Sequence, residues 1–107
     1  MININDFKKL NITIGTIESV EDIEGSDKLY KFTINIGQEK RQILGGLKLS
    51  YQKEELLNKQ VLVLENLEPR TMMGLESQGM ILAASDENDK PVLIQPIKEV
   101  PNGSKIR

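Results

Sequence analysis

Apolar and polar positions alternate most clearly in "LYKFTINIG", where Tyr30, Phe32, Ile34 and Ile36 are separated by Lys31, Thr33 and Asn35. A period of two predicts a half-buried strand. It also places Tyr30 inside with Phe32 rather than outside as a stacking platform. "FKKLNITI" leads into an earlier strand, with Ile12 and Ile14 on one face. Ile17 falls on the opposite parity and Val20 returns to the first, so a β-bulge or strong bend is expected at Gly15. "EGSDK" between these two strands is turn chemistry. "RQILGGL" (41–47) follows the short turn "GQEK" as a third strand and completes an antiparallel meander.

The period changes in "SYQKEELLNKQ". Ser50 is placed as a helix cap, Leu56 and Leu57 face inward, and the helix is about two or three turns long. "VLVLENL" (61–67) is apolar on both parities, which predicts a strand covered on both sides. "GMILAAS" (79–85) is the fifth strand and "DENDK" a solvated turn. Pro91, Pro96 and Pro101 then confine the remainder to edge strands and extended chain. Three meandering strands, a short helix and two more strands is the order of an all-β OB-fold, a five-stranded Greek-key barrel with extra terminal strands. The chain reads as one domain over 1–107, with the barrel at about 7–85 and a C-terminal extension at about 90–107.

Composition narrows the function more than the fold. The 107 residues contain no histidine and no cysteine. That removes the usual base near neutral pH, thiol chemistry and the commonest zinc ligands. No calcium-loop spacing, GxxxxGK[ST] or GxGxxG occurs. Neither catalysis nor a metal or other cofactor is expected. "MININDFKKL" has no basic region followed by an apolar core, and no apolar run is long enough to cross a bilayer. A cytoplasmic protein without membrane contact is therefore expected.

The net charge is −2, from 14 basic and 16 acidic residues. The whole does not point to nucleic acid, but the distribution is uneven. Glu18, Glu21, Asp22 and Glu24 form an acidic stretch, read as solvated surface. The middle of the chain holds Lys28, Lys31, Lys40, Arg41, Lys48, Lys53, Lys59 and Arg70. These could form a basic face. The passage "NLEPRTMMGLESQGM" stands out because it puts an arginine, paired methionines and small polar groups into one loop before the fifth strand. In an OB-fold that loop lies beside the ligand-binding face.

The ordered segments "DFKKLNITIGTI", "SDKLYKFTINIG", "RQILGGL", "YQKEELLNKQVLVLENLEPR" and "MMGLESQGMILAAS", closed by "VPNGSKI", resemble the tRNA-binding domain family. Its members occur at the C-terminus of methionyl-tRNA synthetases, as separate subunits of that enzyme, and as stand-alone dimeric tRNA-binding proteins. The resemblance runs from about residue 6 to 106. It implies structure-specific, sequence-tolerant binding of tRNA, terminal strands that form a homodimer, and partnership with a methionyl-tRNA synthetase catalytic chain whose tRNA affinity it raises. Met1, a few residues before these segments, favours a natural short chain over an excised domain.

Carried over by position, the contact residues are Lys28, Arg41, Asn66, Arg70, Met73, Ser77, Gln78 and Met80, with Lys31 beside them in the basic region. Arg70 suits two-pronged phosphate binding. Lys28 and Arg41 either track phosphates or pair with neighbours such as Asp27 or Glu39. Of the adjacent methionines, Met73 is expected outward and Met72 inward, offering soft apolar surface. Met80 either enters the core or joins that surface. Ser77 and Gln78 either serve sugar and base edges or cap the turn. Thr71 and Gly45 depart from the family, which commonly has a basic residue and a serine there. Two other readings stand beside this one: a peptide-binding module like the family's secretion-chaperone branch, which usually lacks "DKLY" and "ESQGM", and a dimerisation domain that touches RNA little.

Overall fold

The long strand β1 (Ile12–Asp22) organises the molecule, because it pairs with two different neighbours along its length. Ile12–Thr16 run antiparallel to β4 (Gln60–Leu64), and Thr16–Asp22 run antiparallel to β2 (Tyr30–Asn35). The computed structural model describes all residues, 1–107. Adding β3 (Lys40–Gly45) and β7 (Met80–Ile81) gives the order β3-β2-β1-β4-β7, a nearly closed five-stranded antiparallel barrel with the OB-fold arrangement.

The bend in β1 differs from the sequence expectation. The register slips between Ile17 and Ser19, not at Gly15. Gly15 is required for another reason. A Cβ there would lie 2.6 Å from Ile34 Cγ2 and 3.1 Å from the Asn35 carbonyl oxygen, so only glycine lets β1 pass this close to β2 as it changes partners.

Alternation in β2 holds as read. Tyr30, Phe32 and Ile34 are buried, and Lys31, Thr33 and Asn35 are half-buried. Phe32, Ile17, Ile34, Ile43, Leu56, Val61 and Val63 are the largest fully buried side chains. Each such burial stabilises the fold by about 1.5–3 kcal/mol. The Tyr30 ring meets Phe32 edge-on at 5.9 Å, and its hydroxyl donates to the Tyr51 carbonyl at 2.8 Å. In β4 only Val61 and Val63 are buried. Leu62 and Leu64 are half-covered, so this strand is sealed on one face only.

Two short helices depart from the expectation. α1 (Ile4–Phe7) forms just before β1, because Asn3 accepts the Asp6 N–H and Asp6 accepts the Asn3 N–H, a reciprocal cap. α2 (Lys53–Leu56) is a single turn started at Gln52 rather than Ser50, with the Glu55 carboxylate accepting the Gln52 N–H at 2.7 Å. Leu56 plugs the barrel, but Leu57 is 44% exposed, because the chain leaves the helix at that residue.

The passage read as a loop is a β-hairpin. β5 (Arg70–Met72) pairs with β6 (Leu75–Ser77), and its two-residue turn has φ of 53° at Met73 and 76° at Gly74. Positive φ at both central positions matches the twist of the flanking strands. The predicted fifth strand is also divided. Met80–Ile81 stay with β4, whereas β8 (Ala83–Ser85) turns away to pair with β9 (Pro91–Leu93). The chain end returns as a strap along β1. Ile14 N–H donates to Ser104 (3.0 Å), Gly103 N–H to Ile14 (2.7 Å) and Ile106 N–H to Ile12 (2.9 Å). No helix is long and apolar enough to cross a membrane.

Candidate nucleic-acid interface

The barrel closes between β3 and the end of the hairpin, largely through side chains. Gln78 N–H donates to the Gln42 carbonyl at 2.8 Å, and Gln42 N–H donates to Gln78 Oε1 at 3.1 Å. Gln42 Nε2 reaches the Glu76 carbonyl at 2.9 Å. Ser77 is buried in this seam, where its hydroxyl accepts the Leu44 N–H at 3.0 Å and donates to the Gly79 carbonyl at 3.1 Å. Its donor and one acceptor site are used inside the protein, which favours the turn-capping reading of Ser77 over contact with a ligand. Ser77→Ala leaves a buried N–H without a partner and is expected to cost about 1–3 kcal/mol. Chemical denaturation measures this as a lower midpoint.

Arg41 is likewise a clamp. Its Nη1 donates to the carbonyls of Glu65 (2.6 Å) and Gln78 (3.2 Å), and its Nη2 sits 3.0 Å from Glu39 Oε1. The guanidinium thus spends its donors on the seam rather than on a ligand. Asn66 is also engaged at both ends. Its Oδ1 accepts the Asn11 N–H at 2.8 Å and its Nδ2 donates to the Lys9 carbonyl at 2.7 Å, splicing the start of β1 to the end of β4. Lys31 lies 2.9 Å from Glu21 Oε2 and faces solvent with its charge offset.

The acidic stretch explains why the basic middle of the chain forms no continuous face. Glu18 holds Lys40 at 2.9 Å, Glu21 holds Lys31, and Asp22 holds both Lys48 (3.1 Å) and Lys53 (2.8 Å). These acids are not simply solvated, as the sequence suggested. They neutralise lysines of β2 and β3, of the turn after β3 and of α2. Lys53 first, and then Lys48, hold the Asp22 carboxyl below the usual carboxylate range, and Lys40 and Asn35 do the same for Glu18. A depressed folded value means that stabilisation is present above the ordinary carboxylate pKa and is lost as pH falls through the folded one. NMR titration is expected to place the Asp22 midpoint below that of an exposed acid, and Lys53→Ala is expected to move it upward.

The cations left without carboxylate partners include Lys28 and Arg70; Arg70 lines one groove, and Lys28 precedes Leu29, which also lines it. The groove has a volume of about 330 Å³ and lies between Leu29 and Gly45–Leu47 on one side and Arg70, Met72 and Met80 on the other. The Lys28 backbone is held by Lys48 N–H donating to the Lys28 carbonyl at 3.2 Å. Gly46 leaves open space where a Cβ would project, whereas a Cβ at Gly45 would press on the Phe32 ring at 3.1 Å. The serine expected at Gly45 would therefore require Phe32 to shift.

Of the candidates read from sequence, the groove brings together Arg70 and Met80, the last 39% exposed rather than in the core, and Lys28 adjoins its lining residue Leu29 in the chain. Gln78 lies at the seam with its amide Nε2 directed to Glu76 at 3.4 Å. Met73 is outward at the hairpin tip, 52% exposed, but it leans over the β1–β2 turn, where its Cε would lie 3.3 Å from a Cβ at Gly25. Met72, read as the inward partner, lines the groove beside Arg70. The i, i+2 spacing within a strand was the signal for this, once the loop is recognised as a hairpin. The groove thus offers one free cation, Arg70, beside a soft apolar floor.

Residues 12–105 match a family model described as "Putative tRNA binding domain". A methionine–tRNA ligase of Caldanaerobacter subterraneus subsp. tengcongensis is 46% identical over 98% of this chain, which spans 16% of that enzyme's length. A MetRS-related protein from Pyrococcus horikoshii superposes with a TM-score of 0.94 at 33% identity, covering 100% of this chain and 98% of that one. The chaperone CsaA of Bacillus anthracis superposes with a TM-score of 0.91 at 30% identity, covering 100% and 99%.

Proposed function

We infer function from one premise: this chain belongs to the tRNA-binding domain family, on a match that spans most of its length. The proposal is that it is a non-catalytic, cytoplasmic tRNA-binding module. Its groove grips the irregular surface of folded tRNA rather than reading a sequence. The observation that carries this is Arg70, a cation without a carboxylate partner, in the groove lined by Met72 and Met80, with the unpaired Lys28 next to the lining residue Leu29. Phosphates supply most RNA affinity and reward free cations, while bases and sugars meet the adaptable methionines. Met73 adds support. A methionine held at φ 53° occupies a conformation costing roughly 1–3 kcal/mol, and such strain is typical of ligand-contacting tips.

The module is proposed to raise the tRNA affinity of a methionyl-tRNA synthetase, as its subunit, cofactor or domain, through effective concentration. A homodimer is also proposed, supported by exposed apolar side chains at both chain ends. Ile2 and Ile4 are 71% and 63% exposed, and Ile97 is fully exposed. Sedimentation of the purified chain tests it: a monomer at micromolar concentration would contradict the dimer. For the RNA reading, NMR titration with folded tRNA is expected to shift Lys28, Gly46, Arg70 and Met72 amides. Shifts confined to the acidic strand end at Glu18–Asp22 would argue against it. The CsaA likeness supports a second reading, a peptide-binding module, which predicts binding to unfolded polypeptide that persists at high salt.

A further inference from the structure

A second cleft, remote from the groove's free cation, lies where the β2–β3 turn meets the C-terminal strap. It holds about 540 Å³ and is lined by Gln38, Glu39, Glu65, Asn102 and Lys105, with the buried Thr13 on its floor. Its rear wall is a clasp of two glycines, each in a positive-φ conformation. A Cβ on Gly37 would lie 2.7 Å from the Asn102 carbonyl oxygen, and one on Gly103 would lie 2.7 Å from the Ile36 carbonyl oxygen. The two backbones therefore touch, and no side chain can be inserted without parting them. The volume is that of a small-molecule site, though the lining is polar and carries no aromatic ring.

The hydrogen-bonding groups along this cleft are unequally used. Glu65 is engaged, its Oε2 accepting from the Thr13 hydroxyl. Both Arg41 donations to Glu39 fall on Oε1, which leaves Oε2 without a partner. Lys105 Nζ contacts only the neutral Asn11 Oδ1, at 3.0 Å. The bridge from Thr13 to Lys105 sets the strap beside the start of β1. Lys105 has no carboxylate within ion-pair distance.

We propose that this cleft takes a single unpaired guanine nucleotide of the bound RNA, with the base edge on Glu39 and the phosphate on Lys105. The proposal rests on the RNA reading above. A carboxylate only accepts, so it selects a base edge bearing donors. Guanine presents N1–H and an N2 amino group side by side, so one of these two donors can meet the free Glu39 Oε2. Uracil presents a single N–H between two carbonyl oxygens, which a carboxylate repels. Unpaired nucleotides are the parts of an RNA whose edges are free to be read. The glycine clasp fixes the wall, so the cleft is built before a ligand arrives.

The test is an NMR titration of the whole chain with guanosine monophosphate and, separately, uridine monophosphate, in the absence of tRNA. The expected result is shifts at Gln38, Glu39, Asn102 and Lys105 with guanosine monophosphate and weaker ones with the uridine nucleotide. Glu39→Gln, at an exposed side chain, is expected to weaken the guanine nucleotide by roughly five- to a hundredfold and to tighten the uridine nucleotide, which no longer meets the repelling carboxylate. Lys105→Ala is expected to weaken both. A silent cleft, or equal binding of both nucleotides unaffected by Glu39→Gln, would overturn the inference even if tRNA binds at the groove. Guanosine monophosphate binding without any tRNA binding would overturn the RNA reading and, with it, the source assigned to this nucleotide.

Discussion

Replacing Lys28 and Arg70 together by alanine is expected to weaken tRNA binding by roughly ten- to a hundredfold at moderate salt, and to reduce the slope of log affinity against log salt by about two. The expectation follows from which cations are free. Lys31, Lys40, Lys48 and Lys53 are each within 3.1 Å of a carboxylate on β1, so their charge is already offset before RNA arrives. Lys28 and Arg70 have no such partner; Arg70 lines the groove, and Lys28 is exposed next to Leu29, which also lines it. Neither supports the fold through its side chain, so the variant should melt close to the parent. Replacing Lys31 and Lys48 instead is expected to change affinity little, because those substitutions release Glu21 and Asp22 as they remove positive charge. Fluorescence anisotropy at several salt concentrations distinguishes the two pairs. Equal losses for both would mean that overall charge, not this groove, attracts the RNA.

Arg41→Ala is expected to have the larger effect on stability, about 2–4 kcal/mol, since charge-assisted hydrogen bonds contribute about 1.5–3 kcal/mol each and two carbonyls would lose their donor. The side chain is only 22% exposed, so solvent replaces those donors poorly. For a domain of this size, that loss lowers the melting temperature by roughly 10–20 °C. The consequence is specific to the barrel seam. Arg41 fastens β3 to the end of β4 through the Glu65 carbonyl and to the hairpin end through the Gln78 carbonyl. Below its transition the variant is expected to keep the parent's salt slope, because Arg41 contributes no free charge to the groove. A melting temperature within two or three degrees of the parent, together with a flattened slope, would return Arg41 to the contact set.

These two substitutions separate what the sequence reveals from what it conceals. The alternation of Tyr30, Phe32 and Ile34 with polar residues is a local period, and β2 follows it residue for residue. The order of elements was similarly enough to identify the barrel. Gly15 was visible as special, yet its reason was not. Its constraint comes from Ile34 on the neighbouring strand, while the bulge falls after Ile17. The hairpin was hidden because its turn uses Met73 at positive φ, where turn chemistry leads one to expect asparagine, aspartate or glycine.

Arg41, Asn66 and Ser77 show the same limit in the site. Their partners lie 24, 55 and 33 positions away for the bonds to Glu65, Asn11 and Leu44, so no local pattern marks them as structural. Resemblance to a family places them near the contact region, but the coordinates assign their polar groups to closing the barrel. The lysine-rich middle of the chain looked like a face for the opposite reason. Its neutralising acids on β1 precede it in sequence and become neighbours only through strand pairing. Of the original candidates the geometry leaves Arg70, Met73 and Met80 exposed, with Lys28 next to the groove's Leu29 and Met72 added beside Arg70.

The measurement that tests this account most directly is a titration against folded tRNA and against unfolded RNA of similar length, repeated across salt concentrations. The account predicts tighter binding of folded tRNA and an affinity that falls linearly with log salt. Equal binding of both RNAs, or none at low salt, would contradict it.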